Sequence, residues 1–297
     1  MAFAMYARSK FISRVVLCLI ILSLLWLAVA CSTSGSTASF DPRLTIAVTI
    51  PPQKAFVTAI CGDRADIVVL VPPGNSPGNY EPDALQMQRL AGADVYFTIG
   101  VATEKANILP RISQLPVVDL AAAVAESFPD RLIAPENRDP HIWLSIKRVK
   151  VMIQAIAAEV SRLDPEHASF YQANAQAYLI QLDLLEQDIS ALLSGASGQT
   201  ILVYHPSFGY LADEYGLEMQ ALEQDGKEAT PQHLQELVDL ARQESIKTIF
   251  CQAEIDSRQS AAFAEEIGAA IVVLNPLSED YLENMRAMAR SFAEATS

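Results

Sequence analysis

The sequence contains four histidines, and two of them stand where a folded chain would place functional side chains. His205 ends the apolar run I-L-V-Y-H and is expected at the carboxyl end of a strand, while His141 lies in D-P-H-I-W-L-S, ahead of a helix. His167 and His233 fall early in polar helical stretches and are expected to be solvated. For either of the first two alone, a hydrogen-bonded, half-buried role is an equal alternative. Because neutral imidazole binds Zn, Mn or Fe, we predict that His141 and His205 clamp one cation, with Trp143 covering one side of His141.

Eight short β-branched or aromatic runs alternate with helix-like stretches, in two sets of four. They span residues 44–50, 66–71, 94–100, 116–121, 199–205, 217–222, 246–252 and 269–275. Alternating strands and helices predict mainly parallel sheets. Residues 122–140 show no clear period and are interpreted as a surface excursion.

A long helix over residues 165–194 separates the two sets. Its apolar residues recur every three or four positions, Asp164 is a suitable N-cap, and glycines follow its end. At about 1.5 Å per residue it spans roughly 45 Å, which is more than the width of a small domain. The predicted fold class is therefore α/β with two lobes, each a mainly parallel four-stranded sheet flanked by helices, joined by one long backbone helix. The expected boundaries are 44–163 and 196–297 for the lobes and 164–195 for the helix.

The first thirty residues have the pattern of an export signal. A basic segment precedes an apolar run that ends A-V-A-C at Cys31, and this junction resembles a bacterial lipobox. We expect residues 1–30 to be a lipoprotein signal peptide, Cys31 to carry the lipid, and residues 31–43 to be a flexible tether. An ordinary signal peptide is the alternative. The expected location is extracytoplasmic, at the cell membrane.

The charge balance is acidic. The whole chain has a net charge of −14, and without residues 1–30 eighteen basic residues face thirty-five acidic ones, a net charge near −17. This balance disfavours nucleic acid and anionic membrane surfaces as partners, although it is compatible with attracting cations. Beyond Cys31, the chain retains Cys61 and Cys251, which we expect to be two buried thiols rather than a mutual disulfide.

The chain contains, in order, the motifs PPGNSPGNYEPDA, DPHIWLS, HPSFGYLADEYGL, GKEATP and NPLSEDYLENM. This set closely resembles the metal-binding lipoproteins that serve zinc and manganese ABC importers, over roughly residues 43–295. The resemblance implies a non-enzymatic receptor that holds Zn or Mn between two lobes and delivers it to a membrane permease. It also implies ligand roles for His141, in the D-P-H-x-W motif, and for His205, which opens H-P-x-F-x-Y. We expect a monomer.

Two positions depart from the family pattern. The family's first ligand is usually a histidine before Y-E-P and its fourth an aspartate before P-L, whereas this chain has Asn79 and Asn275 there. An amide carbonyl can bind a cation but is uncharged and a poor ligand for Zn or Mn. Glu254, shortly after I-K-T-I-F-C-Q, is the leading replacement, with a surface glutamate as the alternative. Glu81 is the next, although its place before Pro82 favours a role at a helix start.

Three other functions stay open. The first is a binding protein for a chelated metal, siderophore or corrinoid, whose polar groups would suit Asn79 and Asn275. The second is a zinc-dependent hydrolase using His141, His205 and Glu254, although the sequence has neither H-E-x-x-H nor G-x-S-x-G. The third is an interaction lipoprotein that has lost transport.

Overall fold

The computed structural model describes residues 43–134, 137–223, 226–255 and 258–297. The predicted signal peptide and the lipid-bearing Cys31 lie outside these residues. No helix in the described ranges is both long enough and apolar enough to span a bilayer.

Two four-stranded parallel sheets organise the chain. Their strands are β1 (Leu44–Val48), β2 (Ala65–Val69), β3 (Val95–Thr98), β4 (Val117–Asp119), β7 (Thr200–Val203), β8 (Glu218–Ala221), β9 (Thr248–Gln252) and β10 (Ala270–Leu274). The first sheet has the order β2-β1-β3-β4 and the second β10-β9-β7-β8, with every neighbouring pair parallel. All eight predicted strands and their parallel arrangement are confirmed.

Helices flank these sheets. They are α1 (Pro51–Cys61), α2 (Ala84–Ala91), α3 (Leu120–Ala125), α4 (Ile146–Leu163), α5 (Ala168–Leu192), α6 (Gly209–Tyr215), α7 (Pro231–Gln243), α8 (Arg258–Ile267) and α9 (Tyr281–Ala295). Side chains from both halves share one core, in which Phe56 of α1 meets Tyr281 of α9 with 4.9 Å between ring centroids. Apolar burial of this kind is the main favourable contribution to folding.

The long helix α5 connects the two halves, as predicted. A 3₁₀ turn, Pro165–His167, precedes it, and its buried face packs against α1 and α9. Asp164 stands before this turn, but its side chain makes no capping bond; it accepts the Tyr171 hydroxyl at 2.6 Å and lies 2.9 Å from His167 Nδ1. The chain therefore enters the helix through a turn anchored by side chains.

Residues 122–134 and 137–140 contain short helical and strand elements that their sequence does not predict. Asp119 is the last residue of β4. Its carboxylate accepts hydrogen bonds from the N–H groups of Ala121 and Ala122 and so caps α3, which follows without a loop. Two very short antiparallel strands follow, β5 (Leu132–Ala134) and β6 (Asn137–Arg138). Elements of two to six residues are too short to show a period, and this explains the difference.

Both internal cysteines are buried. Cys61 lies in α1 and Cys251 in β9, and each is a free thiol, so the expectation of two thiols without a mutual disulfide is confirmed. Burial raises the pKa of Cys61 to about 12, which keeps this thiol protonated and unreactive.

Candidate metal site

Two histidine side chains meet in a cavity of about 730 Å³. The ring centroids of His141 and His205 lie 5.2 Å apart, and their planes cross at 73°. His205 follows β7 by two residues, and His141 precedes the 3₁₀ turn Ile142–Leu144. Trp143 packs beside His141, with 5.1 Å between ring centroids. The predicted meeting of the two histidines is confirmed, whereas their binding of a cation stays a prediction.

Each histidine faces a carboxylate through its Nδ1 atom. Asp139 Oδ1 lies 2.7 Å from His141 Nδ1, and Glu223 Oε1 lies 2.8 Å from His205 Nδ1. When Nδ1–H donates to the carboxylate, Nε2 keeps the lone pair that a metal binds. Burial lowers the pKa of His141, and Asp139 opposes that effect only in part. The His141 ring is therefore neutral at pH 7, which is its metal-binding form.

The carboxylate behind His141 is itself held from several sides. Asp139 is buried, and its Oδ1 accepts the backbone N–H of His141 at 3.0 Å. Arg131 Nη1 donates to Asp139 Oδ2 at 3.2 Å, while Arg131 Nε lies 3.0 Å from Asp213. The Tyr210 hydroxyl donates to the backbone carbonyl of Asp139 at 3.0 Å. These bonds fix the orientation of the Asp139 carboxylate and, through it, of the His141 ring.

The segment that follows His141 is bonded to the C-terminal half of the chain. Trp143 Nε1 donates to the Pro276 carbonyl at 2.9 Å, and the Tyr281 hydroxyl donates to the Trp143 carbonyl at 2.7 Å. A buried ion pair, Arg148 with Glu214 at 3.0 Å, lies one turn further on. His141 is therefore held against the half of the chain that carries His205, although it precedes the long helix in sequence.

Residues 46–295 match the family model of the zinc-uptake complex component A, periplasmic. The chain belongs to this family. The match includes His141, His205, Asp139 and all the residues found to line the cavity.

Known proteins resemble this chain over most of its length. A putative metal-binding protein of Chlamydia trachomatis is 30% identical over 280 residues, which cover 93% of this chain and 99% of the relative. A putative metal-binding protein of Chlamydia muridarum is 31% identical over 254 residues, which cover 84% and 90%. The crystal structure of ZnuA superposes with a TM-score of 0.80 at 33% identity, covering 86% of this chain and 100% of that one. These comparisons confirm the predicted family and fold class.

The two amides expected at ligand positions, Asn79 and Asn275, are not among the residues found to line the cavity. Asn79 is exposed, although residues 76–78 just before it form part of the wall. Asn275 is also exposed, and its Oδ1 accepts the backbone N–H of Leu277 at 3.1 Å. A metal contact by Asn79 or Asn275 stays a prediction.

The two carboxylates considered as replacements also lie away from the cavity wall. Glu254 is half-buried two residues after β9, and its Oε2 is buried without a hydrogen-bond partner in the described chain. Burial raises the pKa of Glu254. Its ligand role stays a prediction. Glu81 is exposed, and the helix-start role expected of it belongs to Asp83, whose carboxylate accepts Gln86 N at 2.8 Å.

Two residues that line the cavity, Glu223 and His233, are not predicted from the sequence to lie at the site. Glu223 is the partner of His205. The other is His233, expected to be solvated, which lines the cavity with its side chain 17% exposed and its Nε2 atom 2.9 Å from the Ala221 carbonyl. The residues next to His233 in sequence are polar, which predicts exposure. The first turn of α7 nevertheless packs against the end of β8. Across the described residues, no three His, Cys, Asp or Glu side chains are grouped to hold an ion.

Proposed function

We propose that this protein is the substrate-binding component of an ABC importer, and that it captures Zn²⁺ or Mn²⁺ and delivers it to a membrane permease. The ion binds between a lobe of residues 44–163 and a lobe of residues 196–297, which residues 164–195 connect. The observation that carries this proposal is the placement of His141 and His205 in one cavity, 5.2 Å apart between ring centroids.

That separation matches the geometry of a shared zinc ion. A Zn–N bond of about 2 Å puts the ion about 3.2 Å from the centroid of each imidazole ring. For centroids 5.2 Å apart, the two nitrogens then subtend an angle of about 110° at the ion, close to the tetrahedral angle that zinc prefers. The site needs ligands besides the two histidines, and lobe closure, water, Asn79, Asn275 or Glu254 would supply them. Binding and release require no catalytic step.

The test is a titration of metal-free protein with Zn²⁺ and Mn²⁺, comparing His141→Ala and His205→Ala with the wild type. Each variant should bind at least about 100-fold more weakly, which corresponds to about 2.7 kcal/mol. His167→Ala is the matched control, because His167 does not line the cavity. Far-ultraviolet circular dichroism verifies folding. Wild-type affinity in both cavity variants would exclude the proposed site.

We propose further that the mature protein is a monomer anchored to the membrane through a lipid on Cys31. The lipobox-like junction supports this, with residues 1–30 removed and residues 31–43 acting as the tether. A zinc-binding lipoprotein of Streptococcus pneumoniae, 27% identical over 280 residues, is one of the relatives. Replacing Cys31 by Ala should release the protein from the membrane fraction, and unchanged membrane association would contradict the anchor.

The size of the cavity supports a second candidate, a receptor for a chelated metal. A water molecule occupies about 30 Å³ in the liquid, and small-molecule sites measure about 300–1,000 Å³, so 730 Å³ exceeds what a bare ion fills. Arg131, Asn137 and Gln252 give its wall polar groups for an organic ligand. Protein purified from its native host should then carry a small molecule detectable by mass spectrometry. High-affinity binding of free metal ions would favour the first proposal, in which the protein captures Zn²⁺ or Mn²⁺ alone.

A further inference from the structure

We infer that Glu223 is a positioning residue of the metal site, which orients His205 by accepting the proton of its Nδ1 atom. This inference rests on the proposed function. Glu223 lies outside the family motifs and outside every ligand position considered above. Among the residues found to line the cavity, it is the single carboxylate.

The backbone places Glu223 beside His205. Strands β7 and β8 pair in parallel with Val203 beside Ala221, and the same register carried two residues further sets His205 beside Glu223. The ladder itself ends at Val203 and Ala221, but Glu223 N donates to the Tyr204 carbonyl at 2.8 Å and keeps the two segments side by side beyond it. Both side chains thus leave the carboxyl edge of the sheet together, where parallel sheets bind their ligands.

The contact between the side chains is short and shielded from water. Glu223 Oε1 lies 2.8 Å from His205 Nδ1, and the two side chains are only 12% and 26% exposed. In the part of the chain that the structure describes, no Lys or Arg forms an ion pair with Glu223. Its hydrogen bond is made to His205 without a competing cation, unlike that of Asp139, which Arg131 partly neutralises at 3.2 Å.

A carboxylate in this position has two effects on a metal-binding imidazole. It keeps the proton on Nδ1, so that Nε2 faces the cavity with its lone pair, and it makes that nitrogen more basic. Among the residues found to line this cavity, no carboxylate other than Glu223 is present to serve as a charged ligand. We expect such a site to depend more strongly on the carboxylates behind its histidines.

The experiment is a double-mutant cycle on zinc affinity, measured in full-length protein stripped of metal. Glu223→Gln keeps the shape and an acceptor oxygen but removes the charge, and Glu223→Ala removes the contact. We expect losses of about 10-fold and about 100-fold, the range found for carboxylates behind metal-binding histidines. Glu218→Gln, an exposed substitution on β8, is the control and should leave the affinity unchanged.

The cycle separates positioning from other roles. In a His205→Ala background, Glu223→Gln should change the remaining zinc affinity by less than about threefold, because the residue through which it acts is absent. Nitrogen-15 NMR of metal-free protein should show His205 protonated at Nδ1 in the wild type and a mixture of tautomers in Glu223→Ala.

Two results would overturn the inference. One is wild-type affinity in both Glu223 variants. The other is an equal loss from Glu223→Gln with and without His205, which would make Glu223 an independent contributor. Failure of the proposed function itself gives a different result, because the wild-type protein would then bind neither Zn²⁺ nor Mn²⁺.

Discussion

Glu104 is a buried carboxylate that should couple the stability of the fold to pH. It begins the π-helical turn Glu104–Ile108 and is 2% exposed. It accepts the backbone N–H groups of Ile99 at 2.9 Å and Gly100 at 2.7 Å, together with the Thr49 hydroxyl. Burial nevertheless raises the pKa of Glu104 from 4.5 to about 7, because desolvation of the charged form outweighs these bonds.

The direction of the effect follows from proton binding in the two states. Between pH 4.5 and about pH 7, folded Glu104 retains a proton that the unfolded chain has lost, so this carboxyl stabilises the fold at low pH. The contribution is complete below pH 4.5 and disappears as the pH rises through the folded pKa of about 7. From pH 5 to pH 8 the wild type should lose about 2.5 kcal/mol through this group, at about 1.4 kcal/mol per pH unit.

Urea unfolding of metal-free protein at pH 5 and pH 8 measures this loss. Glu104→Gln cannot titrate, so the change in its free energy of unfolding between the two pH values should differ from that of the wild type by about 2.5 kcal/mol. Histidines contribute equally to both proteins and cancel in the comparison. Identical pH dependence in the two proteins would refute a buried, protonated Glu104. Glu218→Gln serves as the exposed control and should follow the wild type.

Four further outcomes are expected. Arg148→Met leaves Glu214 buried without its ion-pair partner and should lower the free energy of unfolding by about 3 kcal/mol; a urea titration showing a loss under about 1 kcal/mol would contradict a stabilising ion pair. Trp143→Phe deletes the bond to the Pro276 carbonyl and should cost about 1–2 kcal/mol by the same assay, and no change would disprove the bond. Ser145→Ala removes the hydroxyl that caps α4 by accepting Arg148 N, and it should lower the free energy of unfolding by about 1 kcal/mol. Ser145→Thr should retain this cap and the thermal stability of the wild type. Zinc at about 100 times its Kd should stabilise the protein by about 2.7 kcal/mol, reversibly with a chelator, and an unshifted melting curve would argue against specific binding.

The strands are predictable from sequence because each lies within a short run of β-branched or aromatic residues, and the connecting helix is predictable because its apolar residues recur every three or four positions. The eight apolar runs become eight strands within one or two residues of their expected ends, and α5 follows its apolar spacing. The boundary between β4 and α3 is not predictable in this way, because Asp119 is both the last residue of β4 and the cap of α3. Such shared residues leave no gap from which a boundary can be recognised.

The candidate site is predictable only in part. His141 and His205 are recognisable because each stands at the end of an element and falls within a family motif. Glu223 is recognisable only from the register of β7 and β8, since eighteen residues separate it from His205. His233 is hidden by the polar residues around it. Strand register and helix packing depend on contacts between distant parts of the chain, which single-sequence patterns do not specify.

The most direct test of a shared ion is zinc K-edge X-ray absorption spectroscopy on protein loaded with one equivalent of Zn²⁺. The spectrum of the wild type should fit two imidazole ligands at about 2.0 Å. His141→Ala and His205→Ala should each fit one. Two imidazoles in either single variant, or none in the wild type, would show that the ion binds elsewhere.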